Sequence, residues 1–150
     1  MPYTEAFMHE TYRMSSVVAA SVLHSTLQDV QYMGYEFPKD TIIMTNLYHV
    51  HHDKNHWGDP ENFRPERFLS LDGCFKRDDH MIAFSLGRRS CIGDKLAHKE
   101  FFLYLTTLLK NFNIKSHPDH PLPGTVGKRG LILSPHPFKV VLERKCQSVS

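Results

Sequence analysis

The pattern of hydrophobic and polar positions predicts two helices of unequal length. Between residues 92 and 112, apolar residues recur every three or four positions, and after Gly93 no proline or glycine interrupts them. Residues 3 to 14 form a shorter stretch of helix formers, with Ala6 and Phe7 among polar neighbours and Thr4 as a possible cap. The first stretch therefore predicts a long helix, and the second a short one.

Two other segments have the composition of β-strands. Residues 17 to 46 are rich in β-branched and aromatic residues and contain a turn at Pro38-Lys39-Asp40, which predicts two or three short strands, including a hairpin. Residues 130 to 144 predict a closing pair of strands hinged on residues 134 to 137. The fold class expected from these elements is mainly α with small β-sheets, an α+β arrangement.

Between these elements, residues 51 to 81 are crowded with His, Asp, Asn, Pro and Gly and show neither periodicity. Such a segment predicts a long irregular connection, and connections of this length in compact domains usually have a function. Few elements remain to build a core, so the inventory resembles part of a larger domain.

Composition excludes several classes of protein. A net charge of +2 over 150 residues is too small to indicate a nucleic-acid partner. The three cysteines are odd in number and not arranged as CxxC, which argues against a disulfide framework and a zinc knuckle. No run of about 20 apolar residues is present to span a membrane, and the first residues lack the pattern of a signal peptide.

The segment FSLGRRSCIG, residues 84 to 93, raises the main chemical question. Cys91 lies just before the long helix, and the helix N-terminus together with Arg88 and Arg89 favours a thiolate, so it could be a metal ligand or a nucleophile. A lone cysteine before an apolar helix can also be a small buried hydrophobe. Gly87 and Gly93 would allow the chain to approach something large and flat, such as a cofactor ring.

Four histidines, at positions 49, 51, 52 and 56, suggest zinc as an alternative. In a strand, His49 and His51 would lie on one face and His52 on the other, which makes a shared site awkward. We therefore do not expect a zinc centre built from these four residues.

The spacing of residues 84 to 93, Phe-x-x-Gly-x-Arg-x-Cys-x-Gly, resembles the haem-ligand loop of the haem-thiolate monooxygenases, the cytochrome P-450 family. Two further segments resemble family motifs in the same order: Glu10 to Arg13 is similar to the ExxR of the K helix, and Pro65 to Phe68 to the PERF segment. The resemblance covers nearly the whole chain and extends to the animal microsomal branch that handles steroids and drug-like compounds.

This resemblance implies a fold. Residues 1–150 would be a partial cytochrome P-450 domain, the C-terminal third of the family's usual length. It would run from the K helix through the haem-ligand loop and the L helix to the C-terminal β-hairpin.

The resemblance also implies the roles of individual residues. Cys91 would be the catalytic residue, as the axial thiolate ligand of haem iron, and Arg89 would pair with a haem propionate. His24 would lie against a propionate, unless it is an ordinary strand histidine. The other implied haem-binding residues are Phe84, Gly87 and Gly93, and the implied buried charge network, structural in role, is Glu10, Arg13 and Arg67.

The implied activity is that of an oxidoreductase, a microsomal monooxygenase that inserts one atom of O2 into an apolar substrate such as a steroid, hormone or xenobiotic. Electrons would come from NADPH through a flavoprotein reductase, which would dock near Arg88, Lys95 and Lys99. Residues 17–23 and 130–133 would line the substrate pocket.

The resemblance places such an enzyme on the cytosolic face of the endoplasmic reticulum membrane, attached through an N-terminal segment that this chain lacks. The alternative is a truncated, inactive fragment that binds haem or a partner.

Overall fold

A computed structural model describes residues 1–128, 130 and 132–146 of the chain. In chain order the helices are α1 (Pro2–Ser15), α2 (Leu47–His51), α3 (Lys54–Trp57) and α4 (Asp94–Asn111). The strands are β1 (His24–Ser25), β2 (Val30–Tyr32), β3 (Tyr35–Phe37), β4 (Ile42–Ile43), β5 (Phe112–Ser116) and β6 (Val140–Arg144). Two 3-10 turns lie at Pro65–Phe68 and Gly87–Arg89. Helices with small sheets agree with the predicted α+β class.

Helix α1 supplies one side of the core. Ala6, Glu10 and Arg13 are buried, and their spacing of four and three residues places them on one face of the helix. This face packs against the 3-10 turn at Pro65–Phe68. Beside it, Ala6 belongs to a small apolar cluster, whose other buried members are Trp57, Phe68 and Met81. Ser16 caps the C-terminal end of the helix: it adopts a left-handed conformation and donates its N–H to the carbonyl of Tyr12.

The region predicted to hold two or three strands contains four very short ones. Strands β2 and β3 form the expected hairpin, and both residues of its turn, Met33 and Gly34, have positive φ, as tight hairpin turns require. Strand β1 pairs with β4 in a second antiparallel sheet. The apolar run at residues 17 to 22 forms no strand, and the five residues Leu47–His51 are helical.

The prediction of a closing pair of strands within residues 130 to 144 is wrong. Strand β6 instead pairs with β5, which follows directly on α4, in a register that joins Phe112 to Arg144. Residues 130, 132 and 133 of the predicted first strand belong to no strand, and Leu131 lies outside the described residues. An isolated bridge joins Lys128 to Ser134 on either side of them. Residues 134 to 137 include two prolines, which lack the N–H that a continuous ladder needs.

The connection at residues 51 to 81 has more local structure than its sequence pattern suggests. It contains α3, whose Asp53 cap accepts a hydrogen bond from the backbone of Asn55, and the 3-10 turn at Pro65–Phe68. The prediction of a segment without regular structure is therefore wrong for these residues.

The folded chain leaves much apolar surface uncovered. Its accessible area is 11832 Å², whereas a compact protein of 17.4 kDa exposes about 7,800 Å². Helix α4 contains no buried residue among its 18 positions. Of the helices in the described ranges, none combines the length and the apolar character needed to cross a membrane.

Candidate functional site

A buried ion pair joins Glu10 and Arg13 on α1. The Arg13 guanidinium donates to both carboxylate oxygens of Glu10, at 2.7 and 2.8 Å, and both side chains are fully buried. Arg13 also donates to the carbonyl oxygens of His51 and Pro60, at 2.7 and 2.9 Å. This two-pronged geometry suits a guanidinium and supplies partners for charges that would otherwise be costly to bury.

Arg67 completes this network from the 3-10 turn. Its Nε donates to Glu10 at 3.1 Å, and its terminal nitrogens donate to the carbonyls of Trp57, Asp59 and Asn62. The Glu10 carboxylate accepts one more hydrogen bond, from the backbone N–H of Arg64 at 2.9 Å. The structure thus brings together Glu10, Arg13 and Arg67, and the three fasten the connection to helix α1.

His51 belongs to the same assembly, although its sequence context does not single it out. Its Nδ1 lies 2.9 Å from Ser16 Oγ, and its Nε2 accepts the backbone N–H of Ile82 at 3.2 Å. Ser16 Oγ donates to the carbonyl of Arg13, so the hydroxyl accepts a hydrogen bond from His51 Nδ1–H. Since Nε2 accepts a hydrogen bond and carries no proton, His51 is the neutral tautomer with its proton on Nδ1. Burial, with His52 and Arg13 nearby, lowers the pKa of His51 to about 4.

Cys91 lies in a loop closed by its own backbone. Its N–H donates to the carbonyl of Phe84 at 2.8 Å, and the 3-10 turn Gly87–Arg89 lies between them. Gly87 has a φ of +76°, which non-glycine residues adopt only with strain. The Cys91 side chain is exposed, so the interpretation of this cysteine as a buried hydrophobe is wrong.

The loop around Cys91 presents both apolar and basic side chains to solvent. Leu86 and Ile92 are exposed at 61% and 103%, and Arg88 and Arg89 are exposed as well. A Cβ added to Gly93 would lie 3.7 Å from Cys91 Sγ, which shows that the sulfur lies over this glycine. Arg89 is exposed, and no carboxylate among the described residues forms an ion pair with it.

An aromatic cluster joins this loop to the helices. The half-buried Phe84 ring lies 5.2 Å from the ring centroids of both Tyr12 and His98. Tyr12 also contacts Phe101 of α4 at 5.4 Å. Burial raises the pKa of Tyr12 to about 12, and its hydroxyl has no hydrogen-bond partner in the part of the chain that the structure describes. The loop therefore rests on both α1 and α4.

The other predicted positions lie apart from this cluster. His24 is half-buried in β1, and within the described ranges no hydrogen bond or ring contact joins its side chain to the loop. The two predicted pocket segments do meet, because the N–H of Leu133 donates to the carbonyl of Val17 at 2.8 Å. Their exposed apolar side chains include Val17, Val18, Val22, Leu23 and Ile132. Leu131, also predicted for this pocket, lies outside the described residues.

The four histidines from 49 to 56 do not converge on one point. His49 and His51 lie in helix α2, so the prediction that they lie in a strand is wrong. His51 is buried in the network described above, whereas His52 stacks on Tyr48 with ring centroids 4.0 Å apart.

Comparisons with known proteins decide the family. The sequence matches the family model described as Cytochrome P450 over residues 1–142. The chain belongs to the cytochrome P450 family. Similar curated cytochrome P450 proteins include Cytochrome P450 2U1 of Homo sapiens, 39% identical over 145 residues, which are 97% of this chain and 27% of that protein.

Two other relatives extend the comparison. Farnesoate epoxidase of Bombyx mori is 43% identical over 143 residues, 95% of this chain and 29% of the relative. Cytochrome P450 2C20 of Macaca fascicularis is 42% identical over 141 residues, 93% of this chain and 29% of the relative. The chain thus spans less than a third of the length of these cytochrome P450 relatives.

Proposed function

We propose that this chain is the haem-binding, C-terminal part of a cytochrome P450 monooxygenase that inserts one atom of O2 into an apolar organic substrate. Residues 1–150 would form part of one larger domain, with α1 as its K helix and α4 as its L helix. Family membership supports the class of reaction, and the Cys91 loop supports the position of the cofactor.

The single observation that carries this proposal is the exposure of Cys91 in a loop that also exposes two apolar side chains, Leu86 and Ile92. A thiolate is a soft ligand suited to iron, and the exposed Leu86 and Ile92 match the apolar faces of a flat ring. The unpaired guanidinium of Arg89 suits a carboxylate such as a propionate. The chemistry of these donors fits a haem.

Each residue then has a defined task. When bound, haem would supply the activation of O2, and a cysteine thiolate as its ligand would favour cleavage of the O–O bond. Cys91 would ligate the iron, and Arg89 and His24 would bind propionates. Phe84, Gly87 and Gly93 would shape the surface beside the ring. The network of Glu10, Arg13 and Arg67 would be structural, because its groups satisfy one another and neighbouring carbonyls.

The same family membership supports a proposal for the substrate and the electron donor. The exposed apolar side chains of residues 17–23 would form one wall of a pocket for a steroid, hormone or xenobiotic-like molecule. Arg88, Lys95 and Lys99 are exposed around the start of α4 and would attract the acidic face of an NADPH-dependent flavoprotein reductase. The enzyme would work at the cytosolic face of the endoplasmic reticulum membrane. No observation on the described residues favours the alternative of an inactive fragment.

A spectroscopic experiment tests the ligand. The chain is expressed with haem, reduced and exposed to carbon monoxide, and we expect the red-shifted Soret band of a thiolate-ligated complex. Cys91→Ser should abolish this band. Cys74→Ser and Cys146→Ser are the matched controls, since both cysteines are also free and exposed, and they should retain it.

Two results would contradict the proposal. If all three serine variants keep the band, or all three lose it, Cys91 is not the specific ligand. If the parent chain binds haem without the band, the loop does not provide a thiolate at all.

A further inference from the structure

A second group of metal-binding side chains lies away from the Cys91 loop. His56 at the end of α3 meets Asp78 and His80, which are 22 and 24 residues further along the chain. His56 Nε2 lies 3.0 Å from both carboxylate oxygens of Asp78, and His80 Nδ1 lies 3.6 Å from Asp78 Oδ1. One ligand atom from each of the three residues falls within 4.8 Å of the others.

These separations match the geometry of a small transition-metal ion. Ligand atoms about 2.0–2.1 Å from a tetrahedral zinc ion are about 3.3 Å apart. This value lies between the distances from the Asp78 carboxylate to His56 Nε2, 3.0 Å, and to His80 Nδ1, 3.6 Å. The His56 and His80 rings stack with centroids 3.6 Å apart and planes 20° from parallel. Their planes must open toward an ion, and side-chain rotation permits this because both residues are exposed.

The frame around the three ligands is anchored on both sides. Asp78 Oδ1 accepts the backbone N–H of His80 at 2.8 Å, which holds these two residues together. The His56 ring packs edge-on against Trp57, and the Trp57 indole N–H donates to the carbonyl of Val50 at 2.9 Å.

We propose that His56, Asp78 and His80 form a surface site for a divalent transition metal of the zinc or copper type. Imidazole and carboxylate ligands suit these ions, and three protein ligands leave a position for water. A bound ion would join α3 to the segment at residues 78–80 and close the intervening loop. The site is independent of haem, because none of its ligands belongs to the Cys91 loop or to the Glu10 network.

The test is a calorimetric titration of the haem-loaded chain, without an affinity tag, with zinc chloride above the ordinary pKa of histidine. Cys74 and Cys146 are first replaced by serine, since exposed thiols also bind zinc. Asp78→Asn and His80→Gln should each weaken zinc binding at least ~10-fold. His49→Gln, an exposed histidine outside the cluster, is the matched control and should leave the affinity unchanged.

A second measurement locates the ion. Trp57 is the only tryptophan of the chain and contacts the His56 ring with centroids 4.7 Å apart, so bound Cu²⁺ should quench its fluorescence. This quenching should disappear in Asp78→Asn and persist in His49→Gln. If zinc and copper bind all variants equally, or bind none of them, the site does not exist and the three side chains form only a hydrogen-bonded group.

Discussion

The charge network and the Cys91 loop differ in whether their polar groups are buried and paired within the chain. Glu10 and Arg13 are fully buried, and every charge in the network is paired within the chain. Cys91 and Arg89, by contrast, are exposed, and α4 behind them contains no buried residue. The first region is stabilised by its own contacts, whereas the second presents groups that can still bind something else.

The physical reason lies in the type of group that each region contains. Buried charges must be paired when the chain folds, because an unpaired one is strongly destabilising. Exposed apolar side chains such as Leu96 and Leu103 do not need a partner inside the chain. Their burial against a ligand or another part of a protein is favourable by about 25 cal/mol of free energy per Å² of apolar area. Mutations in the first region should therefore affect stability, and mutations in the second should affect haem binding.

The largest effect on stability is expected for Glu10→Gln. The change removes the charge that pairs with Arg13 and Arg67. The buried Arg13 guanidinium then has no anion, and Arg67 keeps only the partly exposed carboxylate of Asp59. The free energy of unfolding should fall by about 3–5 kcal/mol, measured by urea unfolding of the haem-loaded chain. Glu66→Gln, at an exposed position of the same 3-10 turn, should change it by less than ~0.5 kcal/mol. Similar small losses in both variants would remove the contrast between the two regions.

Acidification should produce the next largest effect, through His51. Its pKa is lowered from 6.5 to about 4 in the folded chain, so the unfolded chain binds the proton first as the pH falls. The resulting stability is complete above pH 6.5 and is lost between pH 6.5 and about 4, on the order of 3 kcal/mol in total.

The measurement is the difference in unfolding free energy between the parent and His51→Gln across this pH range. Other groups titrate in both proteins and cancel, so the variant should show a weaker dependence on pH. Parallel curves for the two proteins would show that His51 does not carry this dependence.

The smallest effect on stability is expected in the loop. Gly87→Ala places a side chain at a φ of +76° and should cost about 1 kcal/mol, although nothing lies within 4 Å of the added Cβ. Gly93→Ala has no such strain and should be nearly neutral for stability, measured by the same unfolding experiment. Its Cβ would lie beside Cys91 Sγ, so we expect a change in haem content instead. Equal stability losses in the two variants would contradict the loop conformation.

The sequence predicts those features that depend on neighbours along the chain. The helical periodicity locates α1 and α4 to within two residues. A spacing of three residues on a helix also puts Glu10 and Arg13 on one face, where they pair. The sequence does not reveal the hydrogen bonds of His51 to Ser16 and Ile82, because these residues are more than 30 positions away. The sequence also does not predict the pairing of β5 with β6, because the paired residues are far apart along the chain. In addition, Phe112 continues the apolar pattern of the helix and hides the start of β5.

Through Tyr12 and Arg13, helix α1 connects the Cys91 loop to the charge network. Adjacent residues on a helix point about 100° apart, so Arg13 enters the charge network while the Tyr12 ring supports Phe84 and Phe101. A tilt of α1 would therefore move the backing of the Cys91 loop. Damage to the network should therefore change the orientation of a bound haem before the chain unfolds. The absorption spectrum of the haem would then report a change in the charge network.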